Sequence, residues 1–344
     1  MARKKKTVEL DRENDIAPGL VAKTKKRLVV ARGSSHPALA VEVAEHLGTQ
    51  LVPTEYRTFA SGEILTRFEV SIRGCDFFLI QSFGPPVNEW LMETLIMLDA
   101  AKRASAKRIT VVAPYYPYSR QDKKGRGREP ISARLVADLL KTAGADRVMS
   151  VDLHAAQIQG FFDGPVDHLF AKPVLLEYFE RTLSADDRAK LTVVSPDTGR
   201  VRVADTWSDS LGAPLAIIHK RRDPNVANQV TVNEIVGDVS GRVCLLVDDM
   251  IDTGGTIVKA AEALKANGAV RVIVAATHPI FSDPAAQRLQ SEAIDEVVVT
   301  DTIPIPEEKR FPSLTILPIA PLLARAIHEV FEDGSVTSMF DGAA

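Results

Sequence analysis

The sequence predicts an α/β protein of two tandem, duplicated halves, each built on a parallel sheet. Three observations predict it. From Leu28 onward, short apolar runs alternate with helical patterns, the order that builds parallel sheets with crossover helices. The chain holds 344 residues, a length that suggests two domains. One stretch also repeats. Ser132–His154 laid over Thr256–His278, an offset of 124 residues, pairs Ala137 with Ala261, Leu140 with Leu264, Lys141 with Lys265, Gly144 with Gly268, Ala145 with Ala269, Arg147 with Arg271, Val148 with Val272 and His154 with His278. Each copy reads as a helix, a glycine stop and a buried strand ending near a histidine. The shared Lys, Arg and His argue for duplication over the chance likeness of any two αβ units.

Leu28–Ala31 reads as the first strand and Ala38–Leu47 as the first helix. Phe77–Gln81 and Asn88–Arg103 follow as strand and helix, then Ile109–Ala113 as a strand. Ser132–Lys141 reads as a helix stopped by Gly144, and Val148–Val151 as the strand after it. Asp163-Gly164-Pro165 and Lys172-Pro173 carry turn chemistry and mark the junction, so the halves are expected at 27–170 and 171–320. Beyond it, Leu191–Val194, Leu215–Ile218, Val243–Val247 and Val272–Ala276 read as strands. Val201–Leu211 and Thr256–Ala266 read as helices, the second stopped by Gly268. Segment 321–344 reads as a helix, Pro321–Phe331, with a short tail.

Composition narrows the function. The chain is 45% hydrophobic and 25% charged, ordinary for a globular protein with a full core. A net charge of −3 calls for neither nucleic acid nor an acidic membrane as partner. Cys75 and Cys244 sit in apolar strand contexts and are too few for a disulfide framework, so a reducing cytoplasm is the expected home. No apolar run reaches membrane-spanning length, and the basic N-terminus lacks the apolar region of a secretory signal. Residues 1–26 are polar, with basic clusters at Arg3–Lys6 and Lys23–Arg27. They read as a solvated, disordered basic tail, with a nucleic-acid or membrane arm as the alternative.

The most informative stretch is 242–267. The apolar run Val243–Val247 leads into two acids, Asp248 and Asp249, then the loop Asp252-Thr253-Gly254-Gly255-Thr256, then a helix. A glycine pair at a helix N-terminus presents free backbone N–H groups and the positive end of the helix dipole, a seat for phosphate. Thr253 and Thr256 add hydroxyl donors. The acids can accept hydrogen bonds from sugar hydroxyls or hold Mg²⁺ through oxygen. A phosphate cradle beside two carboxylates points to a phosphorylated sugar. A Walker loop is excluded because no lysine lies between Arg242 and Thr256, and the G-x-G-x-x-G of a dinucleotide site is also absent. At the 124-residue offset, the cradle's place in the first copy falls on the basic loop Lys124–Arg128.

This segment resembles the ribose-phosphate binding motif of type I phosphoribosyltransferase folds. Ser195-Pro196-Asp197-Thr198-Gly199, His219-Lys220-Arg221-Arg222, Tyr118 through Lys124, Val151-Asp152-Leu153-His154-Ala155, Asn88 through Lys102, Arg128 through Ala133 and Gln159 through Asp163 narrow the likeness. Together they resemble the ribose-phosphate pyrophosphokinase family from about Leu28 to about Phe331, without large insertions. The resemblance implies two tandem type I phosphoribosyltransferase-like domains, the first on the ATP side and the second on the ribose 5-phosphate side, with the C-terminal helix returning to the first. It implies transfer of the diphosphoryl group of ATP to the 1-hydroxyl of ribose 5-phosphate, with Mg²⁺ as cofactor. It also implies a homo-hexamer with active sites near subunit interfaces, activated by phosphate and inhibited by ADP.

Residue by residue, the resemblance makes Lys220 and Arg222 the catalytic cations. Spacing alone leaves them open between such a role and a solvated strand end, since alternate residues of a strand face the same side. Arg120 and Gln121, opening the charged, glycine-containing loop 122–129, are carried over as ATP-binding, with Ser61-Gly62-Glu63 beside them. His154 and Asp197 are carried over to Mg²⁺-ATP. Arg222, Asp248, Asp249, Asp252, Thr253, Gly254, Gly255 and Thr256 are carried over to ribose 5-phosphate. Two positions depart from the family pattern. Ser61 stands where aspartate is usual, and Arg200 follows Gly199 where glycine is usual. Arg200 either adds a donor near the phosphates or pairs with an acid. A phosphoribosyltransferase that consumes the diphosphate, or a non-catalytic regulatory relative, are the other readings of the same motifs.

Overall fold

A computed structural model describes residues 26–221 and 232–340. The basic tail expected at 1–26 lies outside them except for Lys26, and so does Arg222. The first lobe runs β1 (Leu28–Arg32), α1 (Pro37–His46), β2 (Thr54–Thr58), β3 (Ile64–Phe68), β4 (Asp76–Ile80), α2 (Val87–Arg103), β5 (Arg108–Ala113), α3 (Ser132–Ala143), β6 (Arg147–Val151) and β7 (Val166–Leu169). The second runs α4 (Lys172–Thr182), α5 (Ala185–Ala189), β8 (Leu191–Ser195), α6 (Val201–Leu211), β9 (Leu215–Arg221), β10 (Val232–Val236), β11 (Val243–Ile251), α7 (Gly255–Ala266), β12 (Arg271–Pro279), α8 (Ala285–Arg288), β13 (Glu296–Thr300), β14 (Leu314–Leu317) and α9 (Ala320–Phe331).

The first lobe's sheet has the order β1-β4-β5-β6-β7, all parallel, while β2 and β3 form a separate antiparallel hairpin. The second lobe's sheet has the order β10-β9-β8-β11-β12-β13-β14, parallel apart from the β9–β10 pair. Strands read from the sequence, such as β4, β8 and β12, have both faces covered, but the reading omits β13, which is as deeply buried, and β7 and β14. The hairpin β2–β3 and strand β10 escape that reading because charged residues such as Glu55, Arg57, Arg67 and Glu234 break their apolar runs. Strand β11 is longer than its apolar run. It continues through both acids to Ile251, with Asp248 opposite Ala276 and Met250 opposite His278.

The lobes are duplicates, but the register differs from the 124-residue offset. A parallel bridge from Val30 to Leu51 completes the first sheet's edge. Its order is then Leu51, β1, β4, β5, β6, β7, against β9, β8, β11, β12, β13, β14 in the second. Side-chain contacts repeat in that alignment. Ile109 donates its N–H to Asp146 as Val272 does to Asp295, at 2.9 and 2.7 Å. Asp152 accepts the N–H of Ala171 as Asp301 accepts that of Ile319, at 3.0 and 2.7 Å. Strand β6 therefore matches β13, not β12, and His154 and His278 are not counterparts. The segment matching the acid pair and cradle is Gln81–Val87, after β4, and not Lys124–Arg128. There Gln81 and Ser82 are buried and spend their polar groups on Ser35, Glu93 and the carbonyl of Thr302. The offset misleads because helix, glycine and apolar strand recur in several βα units, as at Gly144, Gly212 and Gly268. Only pairing between distant strands says which unit is which.

One hydrophobic cluster joins the lobes. It packs Val30 and Phe78 of the first sheet with Val193 and Leu245 of the second, and with Leu323 and Ile327 of α9. Helix α9 also packs along α1.

Candidate active site

The C-terminal ends of the parallel strands of both lobes meet in one cluster, where α/β sheets collect ligands. The end of β11 supplies Asp248 and Asp249, the turn after β8 supplies Asp197 and Arg200, and the turn after β6 supplies His154. Asp249 lies 2.8 Å from Nδ1 of His154 through Oδ2, and 2.8 Å from Nη2 of Arg200 through Oδ1. Nε of Arg200 is 3.4 Å from Asp248, and its Nη1 donates to the carbonyl of His154 at 3.1 Å. Burial, and then the charge of Asp249, push the Asp248 carboxyl well above the ordinary carboxylate range. Burial acts the same way on Asp249, but the hydrogen bond to His154 and the guanidinium of Arg200 outweigh it and hold that carboxyl low. The first negative charge of the pair thus resides on Asp249.

The Asp197 carboxylate is occupied by the chain that follows it. Its Oδ1 accepts the N–H groups of Gly199 and Arg200 at 2.8 and 3.1 Å, a turn that leads into α6. Beneath the cluster, Asp152 accepts from Thr277 of the second lobe at 2.6 Å, and burial pushes its carboxyl up to about 6. His278 is a buried structural residue. Its ring nitrogens meet the Thr302 hydroxyl at 2.9 Å and the Val151 carbonyl at 3.0 Å, so it has the partners its sequence context does not show.

The cradle follows the acids. Gly254 sits at φ 72°, a left-handed conformation that glycine adopts without strain, and caps α7. No side chain caps this helix, so the amides of its first turn face the loop without an intrahelical acceptor. Asp252 turns away from the cradle to Arg120 of the first lobe, Oδ2 to Nη2, at 2.8 Å. Burial opposes its ionisation, but Ser282 and Arg120 together hold its pKa below the ordinary value. Arg288, on the short helix α8, donates to the carbonyl of Thr253 at 3.0 Å and reaches within 3.5 Å of where a Cβ on Gly255 would lie. Sequence reasoning misses Arg288, since a four-residue helix leaves no periodic trace.

Gln121 anchors the start of α3 by accepting from the Ser132 hydroxyl at 2.6 Å and, through its carbonyl, from the N–H of Ala133 at 3.2 Å. Lys220 lies in β9 opposite Asn233. Ser61, Gly62 and Glu63 form the exposed tip of the β2–β3 hairpin, where the Ser61 hydroxyl donates to Glu63 at 2.9 Å. Among the described residues no hydrogen bond or ion pair joins this tip to the strand-end cluster. Among the same residues no three His, Cys, Asp or Glu side chains converge as a self-sufficient metal cage.

Comparison with known proteins bears on both halves. The N-terminal domain of ribose phosphate pyrophosphokinase matches residues 28–144, and the phosphoribosyl synthetase-associated domain matches residues 216–341. A ribose-phosphate pyrophosphokinase of Streptomyces avermitilis is 62% identical over 323 residues, 94% of this chain and 99% of that protein. One of Mycobacterium tuberculosis is 60% identical over 321 residues, 93% of this chain and 98% of that protein. The crystal structure of phosphoribosylpyrophosphate synthetase from Mycobacterium smegmatis superposes with a TM-score of 0.84 at 59% identity, covering 90% of this chain and 100% of that one.

Proposed function

We propose that this chain, which belongs to the ribose-phosphate pyrophosphokinase family, moves the β,γ-diphosphoryl group of ATP as one unit onto the 1-hydroxyl of ribose 5-phosphate across its strand-end cluster. AMP leaves, and the product is 5-phosphoribosyl 1-diphosphate. The observation that carries the assignment of residues is the uncapped N-terminus of α7 beside Asp248 and Asp249, set against His154 of the other lobe. The amides of Gly254 through Thr256, with the hydroxyls of Thr253 and Thr256, hold the 5-phosphate. Asp249, and Asp248 beside it, accept hydrogen bonds from the ribose hydroxyls. Arg120 and Gln121 hold ATP, and the Arg120–Asp252 pair brings the nucleotide motif to the sugar loop. Lys220 and Arg222 meet the negative charge that develops on the bridging oxygen as the α–β bond breaks.

His154 and Asp197 would hold Mg²⁺. With one carboxylate and one imidazole as the proposed protein ligands, and no cage of three His, Cys, Asp or Glu among the described residues, the donor set fits a cation that would take most of its ligands from phosphate oxygens and water. When bound, Mg²⁺ neutralises charge on the phosphate oxygens. The chain's own part is positioning and electrostatics, with no covalent enzyme intermediate.

The hairpin tip Ser61-Gly62-Glu63 completes the ATP site from a second copy within a homo-hexamer. Its exposure, and the lack of a hydrogen bond or ion pair from it to the cluster among the described residues, support that reading. The two functional halves are 27–170 and 171–320, with 321–344 returning to the first, which the packing of α9 on α1 supports. The enzyme works in the cytoplasm. No helix among the described residues is long and apolar enough to cross a membrane. Incubating the protein with ATP, ribose 5-phosphate and Mg²⁺ tests the reaction. AMP and 5-phosphoribosyl 1-diphosphate should appear in equal amounts, whereas ADP with a doubly phosphorylated sugar would identify an ordinary kinase.

A further inference from the structure

Arg200 has a duty that neither sequence option describes fully. Its guanidinium, 15% exposed, engages both acids of the pair and the carbonyl of His154, and Nη2 lies 2.5 Å from His154 Nδ1. Its backbone N–H donates to Asp197, which fixes the root of the side chain. Arg200 and the acids belong to the second lobe, while His154 belongs to the first, so one planar cation spans the cleft.

These are the acceptors a sugar must use. An ionised carboxylate such as Asp249 only accepts hydrogen bonds, and sugar hydroxyls bind it by donating. Oδ1 of Asp249 is given to Arg200, and its Oδ2 faces His154. Oδ1 of Asp248 already takes the N–H of Asp249 at 2.9 Å and the long contact from Arg200. A ribose hydroxyl that approaches Asp249 meets oxygens already engaged by Arg200 and His154, and one that approaches Oδ1 of Asp248 meets the Asp249 N–H and Arg200.

We propose that Arg200 is a clasp that closes the empty sugar site and is displaced when the ribose hydroxyls of ribose 5-phosphate bind the acid pair. This rests on the reading of Asp248 and Asp249 as the sugar's acceptors. Displacement has an energetic consequence with a definite sign. Every ribose that binds must first break the Arg200 contacts, so the clasp lowers sugar affinity. A residue that only shaped the site, or that donated to the sugar phosphate, would raise it. Arg200 thus acts through the acid pair, as a positioning residue.

Calorimetric titration of ribose 5-phosphate into the full-length protein without ATP tests the clasp. Arg200→Gln, which keeps length and polarity but loses the charge, should bind ribose 5-phosphate more tightly, on the order of tenfold. Arg200→Lys, whose single ammonium cannot span all four groups, should fall between it and the wild type. An unchanged or weaker dissociation constant in Arg200→Gln overturns the clasp. If that variant does not fold, Arg200→Lys decides alone: tighter binding than wild type supports the clasp, and equal or weaker binding overturns it. Absence of ribose 5-phosphate binding in both the wild type and a folded Arg200→Gln would instead sink the assignment of the sugar site, and the clasp with it.

Discussion

Asp252 does two jobs with one carboxylate. It fixes the loop that carries the cradle, and it takes Arg120 across the cleft at 2.8 Å. Asp252→Ala should raise the KM for ribose 5-phosphate on the order of tenfold or more, the usual worth of a hydrogen bond to a charged group. The KM for ATP should move less, since Arg120 keeps its charge and loses only an orienting partner. Steady-state kinetics with each substrate varied in turn decide this, and equal effects on both would mean that the loop is not the sugar cradle. For Lys220, proposed to act in the transition state, the effect should fall on the rate. Lys220→Ala should lower kcat on the order of 10²–10³ with smaller changes in KM, because its contact is strongest where charge develops. Arg221→Ala should be mild, by the alternation of a strand. An Arg221 variant as damaged as the Lys220 one would remove Lys220 and Arg222 from the catalytic role.

A single glycine and a single buried acid set the behaviour of whole elements. At Gly254 a Cβ would meet nothing closer than 3.6 Å, so the cost of Gly254→Ala comes from its φ of 72° alone. We expect about 1–2 kcal/mol of lost stability and a weaker grip on ribose 5-phosphate, because α7 can relieve the strain only by re-aiming its first amides. Urea unfolding and substrate binding read the two effects separately. Asp301, at the end of β13, shows the opposite kind of strain. Burial pushes its carboxyl up to about 6, and the hydrogen bond from Ile319 only partly offsets that. A folded pKa above the unfolded one means that the native state binds more protons between about pH 4 and 6, so stability falls as pH rises through that window. Asp301→Asn keeps an acceptor for Ile319 and cannot ionise. It should stabilise the protein by roughly 1–2 kcal/mol at pH 7–8 and by nothing near pH 4. Unfolding curves across that range would show the gain, and a gain independent of pH would point to packing instead.

Across the whole molecule, the shared cluster of Val30, Phe78, Val193, Leu245, Leu323 and Ile327 makes the lobes interdependent. Leu323 is fully buried on α9. Leu323→Ala should cost about 2–5 kcal/mol by leaving a cavity at that junction. Because the cavity borders both sheets, calorimetry should show one transition shifted downward. Two transitions, with one unmoved, would show that the lobes unfold separately. The same junction holds the site together. His154 and Arg120 come from one lobe, and Arg200, Asp249 and Asp252 from the other.

Much of this was legible in the sequence because it is local. Val201–Leu211 and the glycine stops after α3 and α7 follow from helical period and chain stiffness. The cradle follows from residues adjacent in the chain, Asp248 to Thr256, whose backbone chemistry needs no distant partner. The two-lobed α/β class and the family resemblance rest on such segments. What only the tertiary structure decided are the relations between segments. It showed that β6 matches β13, although the sequence repeat pairs it with β12. It gave His278 its partners and made Asp252 a cross-lobe ion pair. It placed Arg200 on His154, Asp248 and Asp249, 46 to 49 positions away in the chain. Period and propensity report how a residue treats its near neighbours. Strand order and side-chain pairing across a cleft are set by the packing of surfaces that meet only once the chain has folded.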